Sequence, residues 1–200
     1  VPVEIVHVAS ANVPTAMAIH NRISVTAGAS ATVIETFVGE GDYLIVAATS
    51  IEVAEGARLD RIKADRDGSN ATHLGALSVS LGKNAILRDF TLTAGSRLNR
   101  QNSTYSFTGE GADARIAGSY LLGGKQHADS RLVIDHQVPH CTSRELFKCV
   151  LDDESRGIFQ GKVIVRKHAQ KTDGKQSSHA LLLSPSAEFD AKPELEIYAD

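Results

Sequence analysis

The pentapeptide Val25-Thr26-Ala27-Gly28-Ala29 decides the fold, because it returns at a nearly fixed interval along the chain. Its copies are Val53-Ala54-Glu55-Gly56-Ala57, Leu81-Gly82-Lys83-Asn84-Ala85 and Thr108-Gly109-Glu110-Gly111-Ala112, with a looser copy at Val165-Arg166-Lys167-His168-Ala169. From Gly28 to Gly111, successive fourth positions are 28, 28 and 27 residues apart. A repeat of this length is typical of a solenoid, in which each repeat forms one coil.

The fourth position of the repeat is predicted to be a left-handed corner. It is occupied by Gly28, Gly56, Asn84 and Gly111, and glycine and asparagine are the residues that best tolerate a positive φ. A small residue follows: it is alanine in these copies and Cys141 in a weaker copy that has His140 at the corner. A second corner is predicted half a repeat later, at Gly41, Gly68, Gly95 and Gly123.

Short runs between the corners alternate apolar and polar residues, which predicts strands rather than helices. Examples are Leu77, Val79 and Leu81. We therefore predict an all-β fold, a right-handed parallel β-helix with about 28 residues per coil. Some copies are offset by one residue, so β-bulges are expected near residues 105–108 and 134–137.

Composition limits the classes of function. The repeat runs from Ile23 to Ala169 without a Pro/Ser-rich linker, so residues 1–200 are predicted to form a single domain. The net charge is −3 with no block of like charges, which favours neither nucleic acid nor a membrane surface as a partner. No apolar stretch is long enough to cross a membrane. With only Cys141 and Cys149, a disulfide framework is not expected and a cytoplasmic location is predicted.

Two groups of residues carry chemistry that a site could use. His136, His140, Cys141 and Cys149 include the donor types of zinc and iron–sulfur centres, and His140 and Cys141 are the candidate metal ligands. Strand alternation sends neighbouring side chains to opposite faces, so structural histidines are the favoured interpretation. Acidic residues cluster at 152–154 and around the second corner, where Asp60, Asp65 and Asp67 are expected to be solvated caps rather than acid–base catalysts.

The last third of the chain contains four ordered blocks that resemble the SufB/SufD family, and SufD more closely than SufB. The blocks are Pro139–Lys148, Arg156–Val163, Ala169–Gln176 and Lys192–Asp200. The resemblance implies a β-helical core, flanked in the family by N- and C-terminal helical regions that this chain lacks. It also implies a scaffold that assembles iron–sulfur clusters together with the ATPase SufC.

The resemblance further implies where the cluster is handled. In SufD-like proteins, a Cys-x-His segment follows the block that ends here at Asp200, and C-terminal helices beyond it dock SufC. The iron–sulfur cluster is therefore expected to be transient and to be handled by residues beyond Asp200, with no cofactor in this part of the chain. No ligand role passes to His140 or Cys141 from the family.

Three functions remain open from the sequence. The first is a noncatalytic scaffold subunit whose terminal coil, at Leu195, Glu196, Ile197 and Tyr198, pairs edge to edge with a SufB-like subunit or a second copy. The second is a β-helix polysaccharide lyase or hydrolase, which the absence of Trp and the small number of other aromatic residues disfavour. The third is a structural repeat protein with no role in cluster assembly.

Overall fold

The computed structural model describes residues 2–199, and for residues 11 and 12 it describes the backbone only. All regular elements in this range are strands. They are β1 (Pro2–Val25), β2 (Ser30–Val53), β3 (Arg58–Arg66), β4 (Thr72–Leu81), β5 (Ile86–Thr93), β6 (Leu98–Phe107), β7 (Asp113–Leu122), β8 (His127–His136), β9 (Thr142–Leu151), β10 (Arg156–Val165), β11 (Asp173–Leu182) and β12 (Glu188–Ile197).

The strands wind into a parallel β-solenoid of about seven turns, with about 29 residues per coil. All strand pairs are parallel, and β1 and β2 are long enough to run along both faces of their coils. Face A consists of the first halves of β1 and β2 followed by β3, β5, β7, β9 and β11. Face B consists of their second halves followed by β4, β6, β8, β10 and β12.

The first corners lie above one another along the solenoid. The φ angle is 68° at Gly28, 63° at Gly56, 54° at Asn84, 72° at Gly111 and 61° at His140. Backbone hydrogen bonds join successive corners: the Gly28 N–H donates to the Glu55 carbonyl at 2.9 Å, and the Gly56 N–H donates to the Lys83 carbonyl at 2.8 Å. Each corner thus extends the pairing of the strands that it connects.

In the last copy of this corner, the predicted alignment is wrong by three residues. Lys171 has the positive φ, 58°, and His168 does not. The corner is longer here, because β10 ends at Val165 and β11 begins only at Asp173. Ala169 nevertheless occupies the buried position that the repeat predicts for a small residue.

The second corners lie where the sequence predicts turns, but the left-handed residue is often a neighbour of the predicted glycine. Gly41 has φ 103°, but Gly68 in the next coil has no positive φ. In the two coils after that, the positive φ belongs to Ser96 and Gly124 rather than to Gly95 and Gly123. Gly95 is needed for another reason: a Cβ there would lie 2.3 Å from the Asp67 carbonyl oxygen of the adjacent coil. Its lack of a side chain permits close backbone contact.

The bulges predicted near residues 105–108 and 134–137 are wrong. The pairing of β6 with β8 is uninterrupted from Leu98 opposite His127 to Phe107 opposite His136. Differences in repeat length are accommodated in the corners instead, which have four residues at 82–85 and five at 108–112. Connecting turns tolerate such insertions more easily than a ladder whose register sets the buried face.

The core is a continuous apolar column between the two faces, supplied by alternate residues of every coil. Leu81, Phe107 and Ile134 are fully buried on face B, and Leu59 and Leu87 are fully buried on face A. Stacking of equivalent residues gives each side chain neighbours above and below, which is why no coil is stable alone. The coils at the two ends lack one such neighbour within the described residues.

Candidate functional site

The predicted partner edge lies on the terminal coil. Within the described residues β12 forms its ladder with β10 alone, so its other edge has no strand beside it. Leu195 and Ile197 are aligned with Val163 and Val165, which are buried, yet Leu195 is 64% exposed and Ile197 is 61% exposed. Tyr198 is 58% exposed. The edge therefore presents core-type side chains without a covering coil.

Charged groups frame this edge. Lys162 Nζ donates to Glu196 Oε1 at 2.6 Å, and the Tyr198 hydroxyl donates to Glu196 Oε2 at 3.3 Å. The hydrogen bond from Lys162 lowers the pKa of Glu196 below its usual value. Glu196 is thus a carboxylate at neutral pH, and it orients two neighbouring side chains beside the apolar residues.

The other half of the terminal coil was missed by the sequence reasoning. Leu181 and Leu182 at the end of β11, with Leu183 just after it, are exposed, and β11 forms its ladder with β9 alone among the described strands. The run of three leucines at 181–183 was the available signal. The open end of the solenoid therefore includes apolar residues from both faces, not only from residues 195–198.

The candidate metal ligands His140 and Cys141 are adjacent in sequence but do not converge. The His140 side chain is exposed at its corner, whereas Cys141 is fully buried beneath it. Cys141 Sγ donates to the carbonyl oxygens of Gly109 at 3.5 Å and Pro139 at 3.4 Å, and burial raises the pKa of its thiol. In residues 2–199 no group of three or more His, Cys, Asp or Glu side chains is arranged to hold a metal ion.

A chain of buried charges crosses the interior of the coils, and the sequence reasoning missed it. The Arg61 guanidinium donates to Glu35 Oε2 and to Asp89 Oδ1, each at 2.9 Å, and the Tyr105 hydroxyl donates to Asp89 at 2.6 Å. All four side chains are nearly inaccessible to solvent. These charges are paired with one another, so they connect three coils electrostatically.

A second buried cluster lies toward the second corner, where the expectation of solvated acidic caps is wrong for Asp65 and Asp67. Lys63 Nζ donates to Asp65 Oδ2 at 3.0 Å, and the His73 ring lies 2.8 Å from Asp67 Oδ2. Burial alone would raise the pKa of Asp65, but Lys63 and His73 lower it below its usual value. Tyr43 donates to Asp67, and burial raises the pKa of Tyr43 to about 12.

Near the other end, Glu145 and His136 are buried without strong partners. Both carboxylate oxygens of Glu145 and Nδ1 of His136 lack a hydrogen-bond partner. Burial raises the pKa of Glu145 to about 7 and lowers the pKa of His136 to about 4. His136 Nε2 lies 3.1 Å from Ser143 Oγ, but full burial of His136 and Ser143 denies a substrate access to this contact.

Within the described part of the chain, no helix is long and apolar enough to cross a membrane. The open edges that β11 and β12 present among the described strands lie on the terminal coil, and the buried ion pairs join neighbouring coils. Binding through the end of the solenoid is the function that this distribution favours.

Comparison with known proteins identifies the family of this chain. Residues 7–200 match the family described as "SUF system FeS cluster assembly, SufBD core domain". The chain is 33% identical to the iron-sulfur cluster assembly protein SufD of Escherichia coli (strain K12), over 90% of this chain and 43% of that protein. It is 31% identical to the iron-sulfur cluster assembly SufBD family protein Rv1462 of Mycobacterium tuberculosis, over 89% of this chain and 46% of that protein.

A SufBD family protein of Synechocystis, slr0076, is 30% identical over 76% of this chain and 34% of that protein. The chain spans less than half the length of these relatives. The four blocks that pointed to the family lie within the matched residues, on the β9, β10 and β12 coils and the last corner. The chain belongs to the SufB/SufD family of iron–sulfur cluster assembly proteins.

Proposed function

We propose that this chain is the core of a noncatalytic, SufD-like scaffold subunit that pairs through its terminal coil with a SufB-like subunit or with a second copy. The observation that carries the proposal is the open β12 edge, where Leu195, Ile197 and Tyr198 are exposed although the aligned residues of the preceding coil are buried. Unpaired strand edges with apolar side chains are strong templates for pairing with another chain. Family membership supports a role in iron–sulfur cluster assembly.

The geometry of the edge favours β-augmentation. The backbone groups of Glu188–Ile197 that point away from β10 can hydrogen-bond to a strand of a partner. Leu195 and Ile197 would then be covered by the partner's equivalent residues, continuing the apolar column across the interface. Leu181 and Leu182 extend the same surface on face A.

In this proposal, the cluster is cargo at the subunit interface rather than a resident group of the coils. His140 and Cys141 support that placement, because one side chain faces solvent and the other faces the core. Residues that follow Asp200 in the family would handle the cluster, and SufC would dock on the C-terminal region of the complete subunit. We propose a cytoplasmic location, which the free thiols of Cys141 and Cys149 support.

The test uses the complete natural subunit, co-expressed with a SufB-like partner and SufC. Replacement of Leu195 and Ile197 by Asp places two charges on the open edge, and we expect the affinity for the partner to fall by at least about tenfold. The matched control is Val46→Asp, because Val46 is also an exposed apolar residue of face B but lies near the other end of the solenoid. Sedimentation velocity measures the size distribution of each sample.

Two results would reject the proposal. One is an unchanged complex with the Leu195/Ile197 variant, and the other is an equal loss with Val46→Asp. Anaerobic reconstitution then tests the cluster role separately: iron and sulfide should be retained by the intact complex and lost by the edge variant. If the edge variant dissociates but the native complex retains no iron, the protein is a structural repeat protein rather than a cluster scaffold.

The polysaccharide lyase or hydrolase considered from the fold has no support from the comparisons, which join the chain to iron–sulfur cluster assembly proteins. Glu35, Asp65 and Asp89 inside the coils are engaged in ion pairs and are inaccessible to a polymer.

A further inference from the structure

The outer surface of face A carries a continuous row of exposed apolar side chains that the terminal-edge proposal does not use. Strand pairing aligns Ile34, Ile62, Phe90, Ala117 and Leu146 on five successive coils. The four large members are 37–42% exposed. Glu4 precedes the row and Ser177 follows it, so the row is bounded by polar residues at both ends. We call these five residues the apolar ladder.

A basic row runs beside the apolar ladder on β5, β7, β9 and β11, two residues before the ladder register, whereas the same register holds Asp60 on β3 and Thr32 on β2. The basic row consists of Arg88, Arg115, Arg144 and Lys175. Arg88 and Arg144 are paired with Asp113 and Asp173. Arg115 and Lys175 are exposed and form no ion pair with the described residues. We call these four residues the basic border.

The charge of face A differs from that of the chain. Its outward-facing strand residues include seven basic and five acidic side chains, a net charge of +2, whereas the chain has a net charge of −3. The outward-facing strand residues of face B include six basic and eight acidic side chains, a net charge of −2. At the positions equivalent to the apolar ladder, face B has small or polar residues, such as Ala76, Asn102 and Arg131. Apolar exposure and positive charge therefore coincide on one face.

An occupant of this surface must satisfy its own backbone hydrogen bonds, because the outside of a sheet offers side chains and no free ladder groups. An α-helix meets that condition, and helices are the elements that ordinarily cover the faces of parallel sheets. Coils about 4.8 Å apart give the apolar ladder a length of about 19 Å. A helix rises about 5.4 Å per turn, so one of about 13 residues matches that length in about 3.5 turns.

We propose that the apolar ladder and the basic border together bind an acidic amphipathic α-helix of a partner protein. The apolar stripe of that helix packs on Ile62, Phe90 and Leu146, and Asp or Glu side chains on one flank face Arg115 and Lys175. The helix packs on the outer surface of face A, whereas the terminal partner pairs with the open edges of β11 and β12, and the two surfaces adjoin only at β11, which carries Lys175. The proposal does not depend on iron–sulfur cluster assembly.

The test is a selection with peptides on the complete natural subunit. The probe is a displayed library of helical peptides of about 18 residues with leucine fixed at i, i+3, i+4 and i+7 and with random flanks. We expect Asp and Glu to be enriched on one flank, and the selected peptides to bind more weakly at high salt. Fluorescence polarisation then measures the affinity of a selected peptide for each variant.

Matched variants locate the binding surface. Ile62→Glu and Arg115→Glu should each weaken binding by at least about tenfold, because they place a negative charge opposite the acidic helix. Val46→Glu and Arg100→Glu make the same changes at exposed positions of face B and should leave the affinity within about twofold. All four positions are exposed, and circular dichroism verifies folding of each variant.

Several results would overturn the proposal. They are the absence of any selected peptide, enrichment of basic residues on the flanks, equal losses of affinity with the face A and face B variants, and a loss of peptide affinity with Leu195→Asp but not with Ile62→Glu. Vesicles containing phosphatidylserine provide a further arm: if they bind the subunit and Ile62→Glu abolishes that binding, face A is a membrane surface rather than a helix site.

Discussion

Arg61 and Asp89 form a buried ion pair between neighbouring coils, with Arg61 Nη1 2.9 Å from Asp89 Oδ1 and both side chains at most 2% exposed. The pair does not stand alone. Glu35 binds the other end of the guanidinium and Tyr105 binds the second oxygen of Asp89. Removal of Arg61 would leave two buried carboxylates without their cation, which is more costly than the loss of one contact.

We therefore predict that Arg61→Leu lowers the free energy of unfolding by about 3–5 kcal/mol. Urea denaturation, followed by circular dichroism, measures the change. Arg58→Leu is the control, because it removes an ion pair with Asp60 at a similar distance, 2.8 Å, but at the surface. Its cost should be much smaller than that of Arg61→Leu, because solvent screens an exposed ion pair. An equal loss in the free energy of unfolding for the two variants would show that burial does not make the Arg61 ion pairs more important for stability than an exposed pair.

Glu145 is predicted to make the protein less stable as the pH rises. Its pKa is raised from 4.5 to about 7 by burial, so between these pH values the folded state binds more protons than the unfolded state. The stability contribution is present below pH 4.5 and is lost as the pH rises through about 7. Glu145→Gln removes this dependence, so the variant should gain stability relative to the native protein at pH 8 but not at pH 4. A difference that is constant with pH would contradict the assignment.

His136 should act in the opposite direction. Burial lowers its pKa from 6.5 to about 4, so the unfolded state binds the additional proton in this window and stability falls as the pH decreases from 6.5 to 4. In His136→Phe, which retains stacking on Phe107, that loss should disappear. In this variant the Ser143 hydroxyl loses its hydrogen-bond partner at every pH. That loss shifts the free energy of unfolding by the same amount at each pH and does not change its dependence on pH. Urea midpoints at several pH values separate the two effects.

The sequence allowed the coils and the first corners to be predicted, because the constraint there is local. A left-handed backbone restricts the residue at that one position, and Gly28, Gly56 and Asn84 display the restriction directly. The second corners were less predictable, since a glycine such as Gly95 is required by contact with the next coil rather than by its own φ. That requirement depends on the distance between coils.

The buried ion pairs could not be predicted from alternation, because alternation identifies the inward side but not the partner. Glu35, Arg61 and Asp89 are 26 and 28 residues apart, close to one repeat. Opposite charges at corresponding positions of consecutive repeats are therefore a usable signal. The terminal edge was predicted for β12 and missed for β11, since the leucines at 181–183 break the alternation that identifies an inward row.

Two glycine substitutions should separate backbone strain from steric overlap. At Gly56 a Cβ would meet nothing within 4 Å, but φ is 63°, so Gly56→Ala should cost about 1–2 kcal/mol through conformation alone. At Gly109 a Cβ would lie 2.0 Å from the Lys83 backbone nitrogen of the adjacent coil. Gly109→Ala should therefore cost more than Gly56→Ala, because the coils must separate. Thermal unfolding measures the stability lost in each variant. A larger loss for Gly56→Ala than for Gly109→Ala would contradict the stacking of these corners.

Cys141 and Cys149 are predicted to be unreactive in the folded protein. Both are free and buried, and burial raises the pKa of Cys149 to about 11. The thiolate is the reactive form, and its fraction at pH 8 is small for such groups. Neither residue should be alkylated by iodoacetamide before unfolding, as peptide mass mapping would show for the complete subunit.

Ser78→Cys provides the matched control for this experiment. Ser78 faces outward on β4 and is exposed, so its thiol should be alkylated at about the rate of a free cysteine. Labelling of native Cys141 at that rate would mean that the corner opens to solvent, because its thiol is otherwise closed off beneath the Gly109 and Pro139 carbonyls. A slow Cys141 beside a fast Ser78→Cys would instead show that the thiol stays buried, as expected of a side chain at the small buried position after the corner, which alanine occupies in Ala57, Ala85 and Ala112.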